Sequence, residues 1–98
     1  MKLSESEFTE LARTHQTAED HLKLAEHFTA HAIEHENDAR LHEELADHAA
    51  GHHGNAGVGL AGEARHYAAH SREAAEAMRN LAKIHESLAK EHQKKTAA

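Results

Sequence analysis

The chain has 98 residues, a formal charge of -6 with histidine neutral, no cysteine and no proline. That balance lacks the basic footprint of a nucleic-acid binder. The absence of cysteine excludes disulfides, thiolate metal sites, c-type haem attachment and a nucleophilic thiol. Alanine, glutamate, leucine and lysine dominate over three aromatic residues, Phe8, Phe28 and Tyr67, which is the profile of long helices rather than a sheet.

In chain order, Ser4 followed by Glu7 marks a capping box, and a short helix or extension is expected over 5-14. Thr17 followed by Asp20 is a second start signal, opening a long helix over 17-50; a single helix running on through Thr14 and Thr17 is the alternative. All five glycines fall within 51-62, read as a Gly-rich hairpin loop. A second long helix follows over 63-93, with Lys90, Lys94 and Lys95 suiting its C-terminal dipole. The expected fold is an all-α single domain, an antiparallel helical hairpin. Alanine buries little apolar area per residue, so a homodimer forming a four-helix bundle is expected. No segment approaches the ~20 apolar residues of a membrane span, so no membrane insertion is expected.

The long helices are related to each other. Setting 21-48 against 64-91 gives nine identities, including His27/His70, Asn37/Asn80 and His42/His85. The alignment exposes a heptad of alanines, Ala25, Ala32, Ala39 and Ala46 in the first helix and Ala68, Ala75, Ala82 and Ala89 in the second. Such a small-residue seam packs closely in left-handed bundles. Three positions on, the second seam reads His21, Phe28, His35, His42, Ala49 and then Ser71, Met78, His85, His92. Histidine thus stands where leucine is usual.

The strings Leu24-Ala25-Glu26-His27-Phe28, Leu41-His42-Glu43-Glu44-Leu45-Ala46, Ala64-Arg65-His66-Tyr67 and Ile84-His85-Glu86-Ser87-Leu88-Ala89 resemble a loose group of small, mostly exported bacterial proteins. Those proteins repeat Ala-x-x-His-x-x-[Leu/Met]-Ala along two helices. The resemblance covers roughly residues 21-92 and implies a helical hairpin in a periplasmic or other exported setting, without a defined function. Relatives often carry cysteine after the histidine that opens the second helix, where this chain has Tyr67.

The 13 histidines are the chemical signal. Histidines four apart share a helix face and can reach one ion, as at His27/His31, His31/His35, His48/His52 and His66/His70. A loop centred near residue 55 brings His42 level with His66 and His70, His27 with His85, and His21 with His92. By the repeat, His27/His85 and His42/His70 are pseudo-symmetric pairs, although His27 and His70 lie toward the edge of the core stripe. The expected metal ligands are therefore His27, His42, His70 and His85, with His31, His35 and His66 in support. His15, His52 and His53 read as exposed loop or helix-end residues. Imidazole without thiolate suits Cu(II), Zn(II) or Ni(II), and copper or zinc is the expected ion.

The competing reading is a structural or protein-interaction module with pH-responsive histidines and no metal. Protonating all 13 histidines would carry the charge from -6 to +7, through a range near pH ~6.5. A di-iron centre would need a second motif like Glu63-Ala64-Arg65-His66, and the alanine seams leave little room for haem. No nucleophile or phosphate-loop motif points to an enzyme.

Overall fold

The computed structural model describes residues 2–15, 17–52 and 54–97, with 52, 96 and 97 described by their backbone alone. Three helices follow in order, α1 (Glu5–Thr14), α2 (Ala18–His52) and α3 (Gly54–Ala97), and the described residues contain no strand. α2 and α3 pack against each other as a hairpin. No helix is long and apolar enough to cross a membrane, among the described residues.

The starts of α1 and α2 are chemically closed. At α1, Ser4 Oγ accepts from the Glu7 N–H and Glu7 Oε1 accepts from the Ser4 N–H, each at 3.2 Å, a complete capping box. Those bonds hold the Glu7 carboxyl below the usual carboxylate range. At α2, Thr17 Oγ1 accepts from the Asp20 N–H (3.1 Å) while Asp20 Oδ2 takes the Thr17 N–H (3.4 Å). Two separate caps explain why α1 and α2 are distinct helices, not one.

The hairpin turn is much shorter than the glycine content suggests. α2 runs to His52 and α3 begins at Gly54, so the stretch 51-62, read as a loop, is helical on both sides of residue 53. Gly54, at φ 58, supplies the left-handed conformation that reverses the chain. Each glycine inside a helix costs about 0.8–1.0 kcal/mol relative to alanine. Packing offsets this: Ala46, Ala61 and Ala64 form a buried cluster, and Gly57 and Ala49 are buried as well.

The alanine heptad is the core seam. Ala25, Ala32, Ala39 and Ala46 on α2, and Ala68, Ala75, Ala82 and Ala89 on α3, are all at most 3% exposed. With only a methyl group at each contact, the helix surfaces meet closely and dispersion contacts accumulate along them. The second seam is covered too: His21, Phe28, Ala49 and Ser71 are buried, and His35, His42, Met78, His85 and His92 are half-buried.

The contacts divide into two compact units, Met1–Ala32 with Ala77–Ala98, and Ile33–Glu76. In the first, Leu24, Ala25, Phe28 and Ala82 form the core, with Phe8 and Leu11 of α1 and Met78 packed against it. Phe8 meets Phe28 edge-on, ring centres 5.6 Å apart, a favoured aromatic geometry. In the second unit, the small-residue cluster is flanked by surface pairs between α2 and α3. Arg72 pairs with Glu43, Arg65 with Asp47 at 3.3 Å, and the Tyr67 hydroxyl donates to Asp38 Oδ2 at 2.7 Å.

Candidate metal centre

In the unit that carries the N-terminus, four imidazoles converge: His15 from the end of α1, His21 from the first turns of α2, and His85 and His92 from α3. Ring centres lie 5.0 Å apart for His15/His21 and His21/His92, 5.2 Å for His21/His85 and 5.9 Å for His15/His85. The sharpest contact is between His21 Nδ1 and His85 Nδ1, 2.9 Å apart, so one nitrogen donates and the other accepts. His21 is 3% exposed.

Local structure presets these rings. The C-cap of α1 turns His15 back so that its Nδ1 donates to the Ala12 carbonyl at 2.9 Å. That bond places the proton on Nδ1 and leaves the Nε2 lone pair available, the arrangement usual in metal-ligating histidine. For His21, burial first and then the neighbouring His15 and His92 push the pKa down, against a weaker opposing effect of Asp20. For His85, burial again leads, followed by His21 and His15. Both imidazoles are therefore held toward the neutral form, which is the form that ligates.

Spacing and orientation differ in what they allow. With metal–nitrogen bonds of ~2.0–2.1 Å, two imidazoles on one ion have ring centres roughly 5 Å apart and ligand nitrogens roughly 2.9–3.3 Å apart, across square-planar and tetrahedral geometries. The separations around His21 match. The rings, however, are stacked, at 28° for His21/His85 and 27° for His21/His92. Among the described residues no group of three or more histidine or acidic side chains is arranged as a ready metal site.

The expected ligands are placed as follows. His85 joins this cluster and stacks on Phe28 (5.7 Å, 15°), and its described ring contacts are His15, His21 and Phe28. His27 is buried, and its Nδ1 accepts from the Leu3 N–H at 3.1 Å while its ring stacks on Phe8 at 4.5 Å. Its lone pair therefore ties down the N-terminal segment. His31 lies 5.1 Å from His27 and lines, with Phe8, Phe28 and Met78, a cavity of about 350 Å³. His35 is half-buried on the second seam.

In the other unit, His42 does not pair with His70. Its ring lies on Tyr67, centres 4.1 Å apart, and its Nδ1 donates to the Asp38 carbonyl at 2.9 Å. His70 instead faces His66, with the two Nε2 atoms 3.2 Å apart. The described contacts do not bring together the two pseudo-symmetric pairs expected from the repeat: His70 faces His66 on its own helix, His42 lies on Tyr67, His85 meets His15, His21 and Phe28, and His27 meets Leu3 and Phe8. The register itself holds where it was extended, since His21 and His92 are level and stacked. His15 departs from the expectation of exposure: it is half-buried against His21 and His85. Of His52 only the backbone is described, and His53 lies outside the described residues.

No family model, curated protein or solved structure matches the chain.

Proposed function

We propose that the protein binds and handles a divalent transition metal, zinc or copper, at His15, His21, His85 and His92. The observation that carries this reading is the set of ring separations around His21, which lie near the roughly 5 Å expected of two imidazoles on one ion. Two features support it: the neutral bias of His21 and His85, and the Nδ1–H of His15 already bonded to a carbonyl. Binding exchanges the His21–His85 hydrogen bond for two metal bonds, with ring rotations of the stacked pairs. All-imidazole donors favour Cu(II) or Zn(II) over a soft Cu(I) store.

A second reading is a helical interaction module whose histidines set stability with pH. It is favoured by the same two depressed histidines, which acquire charge only at the expense of the folded state. Calorimetric titration of metal-stripped protein with Zn(II) and Cu(II) separates the two. The metal reading expects affinity tighter than micromolar that is lost in His21→Gln and His85→Gln, with helicity retained by circular dichroism. Micromolar or weaker binding, unchanged in both variants, selects the module.

We further infer a homodimer. Leu22, Ile33, Leu41, Leu45, Val58, Leu60, Leu81 and Ile84 are each at least 38% exposed, a large apolar display around an alanine core that buries little area per residue. Sedimentation equilibrium checks it, and a monomer at every concentration contradicts it. An exported setting is supported by the resemblance alone.

A further inference from the structure

The His66–His70 pair on α3 combines two close nitrogens with unstacked rings, whereas the His21 and His85 rings are stacked. The Nε2 atoms already face each other at 3.2 Å, with the rings at 88°. That separation falls within the roughly 2.9–3.3 Å spanned by two nitrogens on one square-planar or tetrahedral ion. Both residues are exposed, and the Glu73 carboxylate sits 3.7 Å from His70 Nδ1. The contact is longer than a hydrogen bond, but the carboxylate's charge favours a proton on the facing Nδ1 and so leaves the Nε2 lone pair directed toward His66.

The other four-residue histidine pair with described ring contacts is built differently. His27 and His31 lie 5.1 Å apart between ring centres, and His27 Nδ1 is taken by the Leu3 N–H. Spacing along the helix is therefore not what singles out His66 and His70; it is the convergence of two nitrogens with a carboxylate behind one of them.

We propose that His66 and His70 form a second, open divalent-metal site, a two-imidazole chelate oriented by Glu73 and completed by water or by a donor from another molecule. Its ligand class is Cu(II), Ni(II) or Zn(II). With only two protein ligands it exchanges metal readily, which suits uptake or delivery rather than storage. The proposal extends the metal reading but stands on separate residues, so either can fail alone.

The test uses the full metal-stripped chain with Cu(II) alone as the probe. Cu(II) is expected to broaden the imidazole NMR signals of His66 and His70 at substoichiometric metal in a His21→Gln/His85→Gln variant, and in the parent once one equivalent has filled the four-histidine cluster. His66→Ala and His70→Ala each abolish that broadening, and Glu73→Gln weakens the site about two- to fivefold without altering helicity. Retention of the broadening in either alanine variant, or broadening confined to other histidines, overturns the proposal. Loss of this site with the cluster intact, or the reverse, tells the two readings apart. Glu73→Gln binding like the parent removes the positioning role and overturns the oriented chelate.

Discussion

The Nδ1 atoms of His21 and His85 lie 2.9 Å apart, so the pair holds at most one proton between these two nitrogens and cannot hold two there without breaking contact. Both pKa values are lowered, with His15, His92 and Asp20 the other groups acting on them. Depressed folded-state values mean that the unfolded chain binds protons more readily, so stability rises with pH in that window. The contribution is full above the ordinary histidine value of about 6.5 and is lost as pH falls through the depressed range. Thermal melts of metal-free protein should show a falling midpoint below about pH 6.5. His85→Gln should flatten that fall; an unchanged slope contradicts the assignment.

Among the described residues Leu24 is the one large side chain that is essentially completely buried, at 1% exposure, and it anchors the cluster with Phe28, Ala25 and Ala82. Leu24→Ala should cost about 2–5 kcal/mol in chemical denaturation, because the rigid helix pair closes the cavity only in part. Ala39→Leu tests the opposite limit. Ala39 has no exposure at all, so added volume forces α2 and α3 apart, at a cost of about 1–3 kcal/mol. A neutral result for Ala39→Leu would mean that the seam is not closely packed.

Gly59 and Gly62 have helical backbone, and a Cβ added at either meets nothing within 4 Å. Gly59→Ala and Gly62→Ala should each stabilise the protein by about 0.5–1 kcal/mol, by reducing unfolded-chain entropy and raising helix propensity. Gly54→Ala should destabilise it despite equally open space, because φ there is 58°. The measurement is the denaturation midpoint of the three variants, and a uniform sign across them contradicts a turn at Gly54.

His27→Ala should loosen the N-terminal segment while sparing the hairpin. It removes the acceptor of the Leu3 N–H and the ring stacked on Phe8. Hydrogen exchange should speed up in α1 far more than at the seam alanines of α2. Equal acceleration in both would show that α1 and the seam open together.

The seam was legible in the sequence because burial follows heptad position, and Ala25 to Ala46 and Ala68 to Ala89 obey it without exception. Both caps were legible because a side chain three residues away is the only partner such a motif needs. The extent of α3 was not. Glycine propensity argues for a loop over 51-62, and the packing of Ala46 on Ala61 and Ala64 overrides it. Register brought His21 level with His92, but register does not choose ring partners. His85 turned to His21 and Phe28, and His27 was captured by Leu3 and Phe8 once α1 folded back. His15 reads from the sequence as an exposed helix-end residue, and the signal that could have brought it in is its place between two capping boxes, where α1 and α2 part; which way the chain turns there is not written in any periodicity.

The proposed site requires His15, His21, His85 and His92 to share one ion. X-ray absorption on a His66→Ala/His70→Ala variant loaded with one equivalent of Zn(II) tests it most directly, since it counts ligands at the metal. Three or four imidazole nitrogens at ~2.0–2.1 Å in tetrahedral geometry are expected. A shell dominated by oxygen, with one imidazole or none, would contradict it.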